Sequence, residues 1–125
     1  DAESLTLHDG FITNIGQKPL TLEQIQGQYI GLMKFQNNGI KNLKEFYNYS
    51  RNIAKSGINP LNSKIPFNQS YVTDLLQSMI NSGYELKAVP IEHGWLELDT
   101  FNDYQLYQKL YESKQLTKFI KLIKN

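Results

Sequence analysis

Apolar and polar positions alternate from the start of the chain. Leu5-Thr6-Leu7-His8 and Phe11-Ile12-Thr13-Asn14-Ile15 flank Asp9-Gly10, a dipeptide that adopts positive φ easily, and the pattern predicts a β-hairpin. Gly16 to Pro19 breaks the alternation, and Thr21 to Ile25 reads as one helical turn capped by Thr21. Tyr29 to Phe35 is a mostly apolar run between Gly27 and Asn37-Asn38-Gly39, which predicts a central strand buried on both faces. Ile40, Leu43, Phe46, Tyr47, Ile53 and Ala54 then recur at helical spacing, ending at Gly57. Residues 56 to 69 carry Pro60, Pro66 and several Asn and Ser without a period, and read as a loop. The clearest helix follows, with Ser70 as its cap, Val72, Leu75, Leu76, Met79 and Ile80 on one stripe, and Gly83 past its end. Tyr84 to Ile91 predicts a strand, Glu92-His93-Gly94 a turn, and Trp95 to Asp99 another strand. From Thr100 the chain is helical, with Tyr104, Tyr107, Leu110 and Tyr111 on one side. A basic amphipathic tail then sets Lys114, Lys118, Lys121 and Lys124 against Leu116, Phe119, Ile120 and Ile123.

Strands and helices mixed in this order predict an α/β architecture with helices packed on a sheet. The 125 residues suffice for one domain or part of one, and 40% hydrophobic with 20% charged residues fits an ordered protein. A net charge of +1 gives no electrostatic case for nucleic acid. The lack of Cys removes disulfides, thiol catalysis and zinc–thiolate sites. No apolar run approaches the ~20 residues of a membrane span, so a cytoplasmic location is the default expectation. The basic tail can lie on a membrane surface or a partner, although docking on its own domain or a second subunit, as a homo-oligomer, is the more frequent outcome. Beginning at Asp1 and passing straight into alternation, the chain is expected to be a fragment or a processed product.

The chemistry concentrates in Gly94-Trp95-Leu96-Glu97-Leu98-Asp99-Thr100. In a strand, Leu96 and Leu98 would face a core while Trp95, Glu97 and Asp99 line the opposite face. Two strand rises separate the two acids by roughly 6 to 7 Å, within reach of one hard cation or its water shell. Alternatively they form a solvated strand face and a helix-capping acid. Thr100 reads as an N-cap with Asp103 completing the box three residues on. Trp95 has two open roles, a wall packing a quaternary ammonium or sugar ring, or a core tryptophan. Gln28 and Tyr29 stand where a strand enters a cleft and can hydrogen-bond a substrate, or simply pack the strand. Thr73 and Asp74 lie in the first turn of the clearest helix, where capping and dipole complementarity also account for them. His8 and His93 lack ligand spacing, and no Gly-x-Ser-x-Gly elbow occurs.

Asp1-Ala2-Glu3-Ser4, Ile15-Gly16-Gln17-Lys18-Pro19, the run Ile25 to Phe35, Val72-Thr73-Asp74-Leu75-Leu76-Gln77 and Gly94 to Asp99 together resemble, in their order, the C-terminal half of bacterial phosphocholine cytidylyltransferase-like and sugar-phosphate nucleotidylyltransferases. The resemblance implies a Rossmann-like, glycosyltransferase-A-type mixed sheet. Residues 1–111 would be the C-terminal portion of such a domain, and 112–125 a helical extension. It implies an enzyme joining an NTP, CTP among them, to a phosphorylated small molecule such as phosphocholine or a sugar phosphate, with release of pyrophosphate. Mg2+ would be held by the residues matching Glu97 and Asp99, which are also its catalytic residues, with an acid from an N-terminal half completing the coordination. Trp95, Gln28, Tyr29, Thr73 and Asp74 would bind substrate. The family's Gly-rich phosphate loop with its Arg does not occur here, since no Gly-x-Gly-x-Arg pattern is present and Arg51 is the sole arginine. Phosphoryl chemistry relies on such donors and clamps, so this chain alone is expected to be inactive without the missing N-terminal segment. A non-catalytic binding or assembly module that keeps the half-fold is the alternative.

Overall fold

The computed structural model describes residues 4–16 and 21–121. The break at Gln17 to Pro19, the opening Asp1-Ala2-Glu3 and the tail residues Ile123 and Lys124 lie outside the described residues. Two compact units, Asp1–Val89 and Pro90–Asn125, make up the chain. Compactness thus divides it at Val89/Pro90.

In the first unit, β1 (Ser4–His8) and β2 (Phe11–Ile15) form the expected hairpin. Asp9 and Gly10 both take positive φ, 51° and 80°, which matches the right-handed twist of the flanking strands. A bulge between Thr6 and Leu7 shifts the register, so Leu5 pairs with Ile15 but Leu7 with Ile12. β3 (Gly27–Gln28) joins the other side of β1, giving an antiparallel sheet in the order β2-β1-β3. α1 (Asn38–Ala54) and α2 (Val72–Asn81) follow. α2 packs on β2, where Ile15, Leu76 and Met79 are buried. Gln77 is buried with them and is fully used. Its Oε1 accepts the Ile15 N–H at 2.8 Å, and its Nε2 donates to the Thr13 carbonyl and to Asn81 Oδ1. A polar side chain thus satisfies the backbone of the bulged strand from the helix, as burial of those groups demands. The loop 56–69 is ordered around buried Asn59, which donates to the Ile65 carbonyl and Ser70 Oγ and accepts from the Leu61 N–H.

Several expectations need correction. Tyr29 to Phe35 is not a central strand buried on both faces: Gly31 turns to φ 78°, Leu32 is 65% exposed, and among the described residues the strand ends at Gln28. An apolar run becomes a central strand only where neighbours supply ladders on both sides, and among the described residues β3 pairs with β1 alone, through Gly27 and Gln28. Tyr84 to Ile91 reduces to one bridge, Lys87 with Phe11, flanked by the bonds Ile12 N–H to Leu86 O and Ala88 N–H to Gly10 O. Trp95 to Asp99 pairs with no strand among the described residues, and Leu98 is 62% exposed rather than facing a core. α2 starts at Val72 with Tyr71, not Ser70, at its N-cap, because the Asp74 carboxylate accepts the Tyr71 N–H at 2.8 Å. Val72, at 53% exposure, also drops out of the buried stripe.

The second unit is built on α3 (Phe101–Glu112). A turn at Ser113-Lys114 leads to the 3-10 turn Leu116–Lys118, where Leu116 is buried and where the sequence pattern predicts a continuous tail helix. Lys114 takes φ 59° and the Gln115 N–H returns to the Leu110 carbonyl, which reverses the chain and stops the helix.

Candidate functional site

Geometry around the acidic pair starts from Thr100. Its backbone is extended, φ −128° and ψ 160°, and its hydroxyl accepts the Asp103 N–H at 3.2 Å. Asp103 Oδ2 accepts in return from the Thr100 N–H and from the Thr100 hydroxyl, each at 2.7 Å. The box read from the sequence is therefore formed, and it satisfies donors that a helix start leaves open. The same carboxylate oxygen also receives the Asp99 N–H at 3.2 Å. The Thr100 hydroxyl, then the Thr100 and Asp99 amides, hold the Asp103 carboxyl below the usual aspartate value.

One turn further along α3, the Tyr107 hydroxyl donates to the Glu97 carbonyl at 2.6 Å. Nearer its start the segment is tied by the Gly94 N–H to the Phe119 carbonyl at 2.7 Å, next to His93 and Gly94 at positive φ. Backbone atoms of both acidic residues are thus held by α3 side chains. Their carboxylates are exposed, and neither bonds to any described residue. Two hard oxygen donors with no internal partner suit a cation that keeps much of its water and takes one or two carboxylates plus phosphate oxygens, which is the coordination habit of magnesium. Among the described residues no group of three or more His, Asp or Glu is placed to hold a metal.

The other sequence-predicted residues divide between the units. Trp95, 41% exposed, precedes the acidic pair in the second unit, where Phe101 and Tyr104 stack with centroids 5.9 Å apart. Gln28 is an exposed β3 residue paired with Ser4, and Tyr29 is half-buried just past that strand. Thr73 is buried against Gly16, where an added Cβ would lie 3.0 Å from the Thr73 Cβ. Asp74 has both oxygens engaged, Oδ1 by Asn62 and Oδ2 by the Tyr71 N–H, so the structure uses it to start α2 and fix the loop before it. Sequence reasoning missed Tyr107 and the second role of Asp103. The Thr-x-x-Asp spacing marks Asp103, but nothing in the sequence distinguishes Tyr107 from its neighbours Tyr104 and Tyr111.

No helix of the described residues is long and apolar enough to cross a membrane. No family model and no solved structure matches the chain. Over 107 residues, 85% of its length, the chain is 33% identical to a CTP:phosphoglutamine cytidylyltransferase of Campylobacter jejuni. That similarity supports a relationship to the nucleotidylyltransferases, and the chain spans 40% of the length of that relative.

Proposed function

We propose that the chain is the acceptor-side, metal-holding part of a nucleotidylyltransferase that joins CTP to a phosphorylated small molecule. The observation that carries the reading is the 33% identity to a cytidylyltransferase across 85% of the chain. The exposed, unbonded carboxylates of Glu97 and Asp99 add support, because they leave two hard donors available at a fixed stretch of backbone. An acceptor phosphate oxygen attacks the α-phosphorus in line. The new O–P bond forms as the bond to the β-phosphate oxygen breaks, and pyrophosphate leaves with the electron pair. Magnesium, when bound, offsets the phosphate charge that builds in this step. Glu97 and Asp99 are the side chains that would hold it, and Trp95 would wall the acceptor side. Gln28 and Tyr29 are proposed to bind substrate as well, with Thr73 and Asp74 as lesser contacts. Phosphocholine, a sugar phosphate and, from the relative's name, phosphoglutamine are the acceptor candidates. In this reading the functional portion is 1–111 and the missing N-terminal segment completes a Rossmann-like, glycosyltransferase-A-type sheet. The working enzyme is placed in the cytoplasm and can form homo-oligomers.

Pyrophosphate release by the complete protein, measured across the four NTPs and the three acceptors with magnesium, tests the proposal. CTP-dependent release with one acceptor is expected, together with no release from the 125-residue chain alone. Steady release from the chain alone would overturn its reading as part of an enzyme. Silence from the complete protein with every pair would favour a second reading, a non-catalytic binding module. The exposed side chains Leu98, Phe101, Tyr104 and Tyr111 on or beside α3 speak for that alternative.

A further inference from the structure

We propose that Tyr107 and Asp103 are positioning residues that set the two metal-holding acids in register, an inference that rests on the reading of Glu97 and Asp99 given above. The segment Trp95 to Asp99 has no ladder partner among the described residues, so no described strand holds its backbone. What holds it at the two acids is one face of α3. Asp103 Oδ2 accepts the Asp99 N–H at 3.2 Å and Tyr107 Oη donates to the Glu97 carbonyl at 2.6 Å. Asp103 and Tyr107 stand four residues apart, so their Cα atoms are separated by about 6 Å along the helix axis. Glu97 and Asp99 are two residues apart, at most about 7 Å along the chain. The two spacings are compatible, and the order is reversed: the earlier acid meets the later helix residue. One helix face can therefore index two alternate residues of the segment, doing for Glu97 and Asp99 what a neighbouring strand would otherwise do.

The arrangement also divides the labour between atoms. Backbone groups of Glu97 and Asp99 take up the α3 contacts, and the carboxylates are left to ligands. Asp103 is tied into the backbone instead: its Oδ2 receives the amides of Asp99 and Thr100 and the Thr100 hydroxyl. Ligand orientation by such supporting bonds is a general feature of metal sites, and their removal weakens metal affinity without touching the ligands themselves.

Trp95 makes the test direct, since it is the sole tryptophan and stands two residues before Glu97. Terbium(III), a hard oxygen-seeking cation, is titrated into the 125-residue chain with excitation at the red edge of indole absorption, and sensitised emission reports occupancy beside Trp95. In the wild type, emission should rise saturably, fall on adding magnesium, and be lost in Glu97→Gln and Asp99→Asn. In Tyr107→Phe, which removes only the hydroxyl, the affinity should drop on the order of tenfold, the lower end of the effect of losing a supporting bond. Helical circular dichroism should stay unchanged, which a merely structural role of Tyr107 would not allow together with the affinity loss. Asp103→Asn, which keeps size and an acceptor oxygen, should weaken binding in the same direction and serves as the deciding variant if Tyr107→Phe loses helix. Wild-type affinity in both folded variants would overturn the positioning role while leaving the metal reading intact. Absent emission in the wild type, or emission indifferent to Glu97→Gln and Asp99→Asn, would overturn this inference, since two acids held in register by α3 should capture a lanthanide without the acid that the N-terminal segment would add; the metal reading itself then stands or falls on turnover of the complete protein.

Discussion

Gly16 offers the sharpest test of how the first unit is packed, because Gly10 supplies its own control. Both glycines take positive φ, 65° at Gly16 and 80° at Gly10. Replacing either with Ala forces an L-residue into left-handed backbone, at roughly 1 to 2 kcal/mol. Their surroundings differ. A Cβ at Gly10 would meet nothing within 4 Å, whereas at Gly16 it would lie 3.0 Å from the Thr73 Cβ and 3.1 Å from its Oγ1. The Thr73 Cβ is fixed to the α2 backbone and cannot rotate away, so relief requires α2 to move from β2, where Ile15, Leu76 and Met79 are buried. Overpacking of this kind adds about 1 to 3 kcal/mol. Gly10→Ala should therefore cost about 1 to 2 kcal/mol and Gly16→Ala about 2 to 5 kcal/mol, adding the conformational and packing contributions. Urea unfolding with unchanged slopes measures both, and the quantity of interest is the difference between them. Equal costs at the two positions would show that α2 does not sit against the end of β2 as described.

Leu76→Ala should lose about 2 to 5 kcal/mol of unfolding free energy, since the side chain is buried between α2 and β2, and a change within about 0.5 kcal/mol would mean that it is not core. In the complete protein, Asp99→Asn should remove most turnover with little change in unfolding midpoint. Glu97→Gln should act in the same direction, and strictly additive losses in the double variant would argue against a shared metal. The Asp103 carboxyl should titrate below the ordinary aspartate value of 3.8, because the Thr100 hydroxyl and amide favour its ionised form. Its contribution to the start of α3 is then fully present above that ordinary value and is lost as pH falls through the lower folded one. A side-chain carbon NMR titration with its midpoint at or above 3.8 would contradict this.

The sequence by itself determined the elements whose causes are local. Asp9-Gly10 specifies its hairpin because two consecutive positive φ angles suit few other residue pairs. Thr100 and Asp103 specify the start of α3 because capping partners lie three residues apart. The helical spacing of 40–54 and of 72–80 marks α1 and α2 because side chains three and four apart share a face whatever they pack against. Tertiary structure decided the rest. The run Tyr29 to Phe35 and the alternation of Trp95 to Asp99 carry the composition of strands, but a strand exists through hydrogen bonds to residues distant in sequence, and no local pattern says whether those partners are supplied. Only the fold shows that the bulged β2 relies on Gln77, sixty-two residues beyond Ile15. The acidic pair was legible as two carboxylates two residues apart. That Asp103 and Tyr107 hold their backbones was not, because those bonds arise only once α3 lies alongside the segment.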